Sequence, residues 1–326
     1  MSTKRKAIIT LILIVPLLTE LLSGNTPITK IVNPVIFGYF IVMYGFPVLL
    51  IREAAVGWKL GVLGLLTLGL AYGILNEGVA ARTLLLSDEH MFMASLRGYS
   101  TFGINFLWAS AILPWHALFS IIYPIIFIRA LYPQIAEERL LSKRAIIIMS
   151  LVVSALASLS YFSTDPYPST SVLYLPLFWG VIVALIILAK NLNKTPALLT
   201  STISPKQSRL GFVFGLMCIM LFITPLALPA THLPALIQFF GTCVLILFFF
   251  RYAQKHSLFE NSTLVRIAFG NYLIASVIAV FALGTLGLMG EVIVWGILFS
   301  LWIKVCKVEK VESIRMQEVG VDFLQK

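Results

Sequence analysis

Charge is what this sequence has least of. Only 12% of its 326 residues are Asp, Glu, Lys or Arg, about half the share of a soluble globular chain. With 59% hydrophobic residues and a mean hydropathy of +0.96, that deficit excludes a soluble domain and places the chain in a bilayer. Cysteine is scarce too. Cys218 and Cys243 fall inside apolar runs and Cys306 at the end of one. None has metal-ligand spacing, and an oxidised pair is not expected there. Also missing are HExxH, a nucleotide-binding glycine loop and a Gly-x-Ser-x-Gly elbow, so neither a cofactor nor a metal is predicted.

What is present is a series of apolar runs, at approximately 7–23, 32–51, 59–81, 104–128, 145–162, 171–189, 210–229, 233–250, 264–283 and 288–303. Each is long enough to span a bilayer as a helix. The predicted fold is all-α, a polytopic transmembrane bundle of about ten spans. With the N-terminus inside, the outer loops hold only Lys30, Arg82 and Arg97 of the 24 basic residues. That is the positive-inside bias, and it predicts cytoplasmic N- and C-termini. The net charge of +10 is thereby used by topology, and nucleic acid is not an expected partner. The expected location is a cell membrane, of the prokaryotic plasma type. Lys4-Arg5-Lys6 before the first run also fits a signal peptide; an uncleaved first span is preferred. Residues 1–189 read as an N-terminal half-bundle, 190–209 as a cytoplasmic linker, 210–303 as a C-terminal half-bundle and 304–326 as a cytoplasmic tail.

Polar residues inside the apolar runs are costly and mark the candidate site. Glu20 stands near the outer end of the first run, after Pro16. Tyr44-Gly45-Phe46-Pro47 interrupts the second run and reads as a packing kink. Arg52-Glu53, at the inner end of that run, reads as an interface anchor, and 129–144 as a solvated inner loop. In the third run, Gly69 and Gly73 are four apart, a spacing that lets helices approach closely. The same run carries Asn76, Glu77 and Arg82. Glu77 and Arg82 point roughly 140° apart on a straight helix, which disfavours an ion pair between them. His116 lies about 18 Å into the fourth run, near mid-membrane, and shares a face with Ser120. The connection at 83–103 is expected to lie in the interface or cap the outer face.

The residues Tyr72-Gly73-Ile-Leu-Asn76-Glu77-Gly78 and His116-Ala-Leu-Phe-Ser120-Ile121 resemble an uncharacterised group of bacterial and archaeal multi-pass membrane proteins. Glu20-Leu-Leu-Ser-Gly-Asn-Thr-Pro27 and the Tyr44-Gly45…Ile51-Arg52-Glu53 stretch fit the same group. The resemblance covers roughly residues 16–133. It implies an acidic pair before the glycine, and this chain departs from it at Asn76. The layout is also distantly similar to the CAAX-type intramembrane proteases, in which glutamate and histidine activate water. Here Arg82 falls one place late for that pattern.

These residues leave three readings open. One is an intramembrane hydrolase with Glu77, His116 and Arg82 as the catalytic candidates and Glu20, Asn76 and Ser120 as binding candidates. The second is a small-molecule or proton-coupled transporter that uses the same residues. The third is a non-catalytic scaffold or assembly protein in which polar groups hold helices together. The expected partners are the lipid bilayer and a membrane-embedded or extracytoplasmic ligand.

Overall fold

A backbone surrounded by lipid must close its own hydrogen bonds, and the apolar runs do so as helices. The computed structural model describes residues 1–21, 26, 28–86, 91, 96–163, 171–192, 211–216, 234–255 and 261–324. The features expected at 88–90, 165–168, 193–209 and 224–229, and at Cys218, lie outside these residues. Among the described residues, α1 is Thr3–Pro16, α2 is Pro34–Trp58, α3 is Val62–Ala80 and α4 is Phe106–Leu131. They are followed by α5, Lys143–Ser163, α6, Tyr174–Asn191, α7, Ala235–Lys255, and α8, Asn261–Leu324.

Among the described residues five helices, α2 to α6, are long and apolar enough to cross a membrane. The most apolar windows of α3 and α4 are 78% and 83% buried, against 33%, 28% and 17% for α2, α5 and α6. The third and fourth helices therefore form the core. Ile147, Ile148, Leu151 and Leu159 of α5 and Val183, Ile187 and Leu188 of α6 face outward, as an apolar surface in lipid does.

Two glycines set the central crossing. A Cβ on Gly69 would lie 2.7 Å from the Ala117 Cα, and one on Gly73 would lie 3.2 Å from the Leu113 Cα. The approach at Gly69 needs glycine and that at Gly73 is tight, as the four-residue spacing suggests. Gly45 of α2 meets α1 in the same way, 3.1 Å from the Ile12 carbonyl oxygen. Ile12 stands four residues before Pro16, whose missing N–H opens the helix there.

The backbone keeps helical turns throughout Asn261–Leu324, across 284–287, where the sequence predicts a break. Its side chains nevertheless pair across the expected turn. Ser276 donates to Glu291. Phe269 meets the Trp302 ring edge-on at 4.6 Å, and the Arg266 guanidinium lies 4.6 Å from the same ring. On a straight helix, positions 276 and 291 would be roughly 22 Å apart. The chain therefore doubles back, and these pairs share a midpoint at about residue 284.

The described residues of the connection after α3 pack against the bundle. Leu84, Leu85, Leu86, Met91 and Leu96 are buried. A two-stranded hairpin, β1 at Ser100–Thr101 and β2 at Ile104–Asn105, leads into α4. Asn105 caps that helix by accepting from the Trp108 N–H at 2.9 Å and donates to the Leu96 carbonyl at 2.8 Å.

The C-terminal end of α2 differs from expectation. Arg52 and Glu53 are 2% and 3% exposed, so neither anchors the helix in water. The Arg52 guanidinium donates to Glu53 at 2.7 Å and to the carbonyls of Glu138, Ile135 and Ala136 at 2.5, 2.8 and 3.1 Å. Glu53 accepts the backbone N–H groups of Leu140 and Leu141 at 2.9 and 3.3 Å. The loop after α4 is thus folded over the pair and clamped by it. Charges at the end of an apolar run look alike whether a loop covers them or water does.

Candidate functional site

Four π-helical turns occur among the described residues: Leu17–Leu21 after α1, Ile41–Gly45 within α2, Leu75–Ala80 at the end of α3 and His116–Ile122 within α4. A π turn carries one extra residue, widens the helix and re-aims its side chains; such turns are frequent at functional sites. Here they carry Glu20, Tyr44, Asn76 with Glu77, and His116 with Ser120. All six residues are buried.

Proline accounts for three of the four turns. Pro16 precedes the first, Pro47 follows the second and Pro124 follows the fourth. Each lacks an N–H and releases a carbonyl one turn back. In α4 the Tyr123 N–H reaches Leu118 O, so the next acceptor in that register, Phe119 O, faces Pro124. The Tyr272 hydroxyl donates to Phe119 O at 2.9 Å. Likewise the Tyr72 hydroxyl donates to Met43 O, four residues before Pro47, at 2.9 Å. The freed backbone groups are satisfied by tyrosines from neighbouring helices, which keeps the distorted turns affordable in a dry core.

The side chains form one hydrogen-bonded chain. Glu20 accepts from the Thr26 hydroxyl at 2.5 Å and from the Tyr44 hydroxyl. The Asn76 amide donates to Tyr44 Oη at 3.1 Å and lies 3.3 Å from His116 Nε2. His116 Nε2 is 2.6 Å from Glu77 Oε1, and Nδ1 is 3.0 Å from Ser120 Oγ. The other Glu77 oxygen accepts from Thr83, whose hydroxyl oxygen accepts from the Trp108 indole at 2.9 Å. The imidazole is also walled by Tyr72 and Tyr44, with ring centroids 5.7 and 6.1 Å away.

The structure thus brings together Glu20, Asn76, Glu77, His116 and Ser120. Arg82 is placed differently. It ends α3 in a left-handed conformation at φ 56°, which changes the straight-helix angle to Glu77. Its guanidinium carbon lies 5.7 Å from the Tyr161 ring centroid. Tyr44, Thr26, Thr83 and Trp108 were not among the sequence candidates. Tyr44 and Thr26 stand in stretches that carry the family resemblance, and the Gly–Pro interruption beside Tyr44 by itself looks like a kink.

The arrangement permits definite chemistry. His116 Nε2 has one position for a proton. When it carries the proton it donates to the Glu77 carboxylate. When it is bare it accepts from a protonated Glu77 or from Asn76. The 2.6 Å contact therefore joins an acid and a base across which a single proton can move. Glu20 is a second carboxyl group that can carry a proton, held in place by the hydroxyls of Tyr44 and Thr26. Asn76 donates toward both sites, yet an amide N–H does not readily pass a proton on. Among the described residues no group of three or more His, Cys, Asp or Glu is placed to hold a metal; Glu77 and His116 offer two ligands only.

A group described as an uncharacterized membrane protein family matches residues 9–316. The chain belongs to that family. The match takes in α1 through both arms of α8, so the C-terminal half is part of the same family unit. No curated protein and no solved structure matches the chain. Membership in a membrane family, with five helices apolar enough to cross a bilayer, makes this a multi-pass membrane protein.

Proposed function

We propose that the cluster is the proton-carrying centre of a proton-coupled membrane transporter. The observation that carries this reading is the coincidence of four π turns with one continuous hydrogen-bonded chain in which Asn76 links Glu20 and Tyr44 to His116 and Glu77. Interrupted helices meeting at ionisable groups within the membrane are how many transporters build a binding centre and the hinges around it. In this reading Glu77 and His116 take up and release the proton, Glu20 is a second station held by Tyr44, and Asn76 and Ser120 position His116. The fold is a bundle of about ten spans in a prokaryotic plasma membrane with both termini cytoplasmic. The distribution of basic residues and the doubling back of α8 support that topology.

Intramembrane hydrolysis, with Arg82 orienting the substrate, is the second reading. The short Glu77–His116 contact favours it, because acid–base partners must share a water. Against it, both oxygens of Glu77 and both ring nitrogens of His116 already hold protein partners. A hydrolytic water would have to displace one of them.

The test is charge displacement after a pH jump, recorded from reconstituted protein on a supported membrane. Wild type is expected to give a transient current that Glu77→Gln and His116→Ala abolish while remaining folded. A folded wild type that moves no charge would reduce the cluster to helix glue.

A further inference from the structure

A groove of about 770 Å³ runs between α1 and the second arm of α8, and no residue of the proton-carrying centre lines it. Its mouth holds Lys6, Lys304 and Lys307, all exposed. Among its described lining residues there is no carboxylate to balance them. Lys4, two residues before Lys6 and on another face of α1, is different: its ammonium pairs with Glu138 at 2.8 Å. Beyond the lysines, Thr10 and Tyr132 contribute hydroxyls 3.3 Å apart. Deeper still the walls are apolar, with Ile14 on α1, Leu17 in the π turn after it, and Ile293 and Ile297 on α8.

The dimensions identify an occupant. Lys6 to Leu17 on one wall, and Lys304 to Ile293 on the other, each span eleven residues, or roughly 16 Å of helix. That is about half the hydrocarbon thickness of a bilayer, the depth of one leaflet. A cationic mouth over an apolar cleft one leaflet deep complements an anionic head with an acyl tail. Basic pockets between membrane helices bind such headgroups, each lysine contributing about fivefold in affinity. We propose that this groove is a binding site for one anionic diacyl phospholipid, drawn from the leaflet that the lysines face. The proposal does not depend on the transport reading.

Native mass spectrometry and thermal unfolding of the full chain in neutral detergent test it, with dioctanoyl phosphatidylglycerol as the probe. Dioctanoyl phosphatidylcholine and inorganic phosphate separate lipid charge from lipid tail and from a free anion. Phosphatidylglycerol is expected to give a single retained adduct and a raised Tm; neither control should do so. Replacing Lys6, Lys304 and Lys307 together with alanine should weaken binding by on the order of a hundredfold. A second variant leaves the lysines intact. Gly296 lines the groove and has open space where a Cβ would stand, so Gly296→Phe fills the cleft and should also remove the adduct. Equal binding of phosphatidylcholine, an equal effect of phosphate alone, or phosphatidylglycerol binding unchanged in both variants would overturn the proposal.

Discussion

Two buried charged clusters sit at different levels of this bundle, and they are built on opposite principles. The inner one fixes Arg52 on Glu53 and three backbone carbonyls. Arginine does not lose its proton in a protein, so this cluster has one charge state and acts as a clamp on the 135–141 loop. The outer one joins Glu20, Tyr44, Asn76, Glu77 and His116, and within it a proton can move between Glu77 and His116. Burial is similar in both. What differs is whether the hydrogen bonds can be redrawn without breaking the cluster, and that separates a structural polar core from a working one.

Breaking each cluster should give contrasting results. The largest effect is expected for Arg52→Ala. It leaves the Glu53 carboxylate and three carbonyls buried without their partner, at a cost of about 3–5 kcal/mol, read by equilibrium unfolding in mixed micelles. Glu77→Gln keeps the shape and can still bond Thr83 and His116. It should cost less than about 1 kcal/mol, so a variant that is silent in stability but loses its pH-jump current would mark the outer cluster as functional. A Glu77→Gln cost equal to that of Arg52→Ala would erase the distinction.

Smaller effects test how the outer cluster is held in place. Gly69→Ala drives a methyl toward the Ala117 backbone and should cost about 1–3 kcal/mol; thermal unfolding reads it. Tyr72→Phe strands the Met43 carbonyl released at Pro47, at about 1–2 kcal/mol. The same substitution should cost less in a Pro47→Ala background, where the helix regains an N–H. Additivity of the two substitutions would argue against this account of the π turn.

Much of the outer cluster is legible in the chain because an isolated polar residue in an apolar run is expensive enough to stand out. Glu20, Asn76, Glu77, His116 and Ser120 are all of that kind. Tyr44 is not, since a tyrosine costs an apolar helix little, and its role appears only when α2 is laid beside α1 and α3. Thr26 and Thr83 sit in connections where threonine carries no signal. The glycine spacing in α3 reports the close crossing with α4 directly. The Arg52–Glu53 clamp could not be read, because burial there comes from a loop some 85 residues later, and helical periodicity contains nothing about that loop.

The central claim is that the Glu77–His116 pair changes its protonation while the protein stays folded. Infrared difference spectra of the reconstituted protein, recorded across a pH titration, test it most directly. The account predicts a protonated-carboxyl signal that forms reversibly, loses its Glu77 component in Glu77→Gln and shifts in His116→Ala. A wild-type spectrum with no carboxyl change over the whole folded range would contradict it.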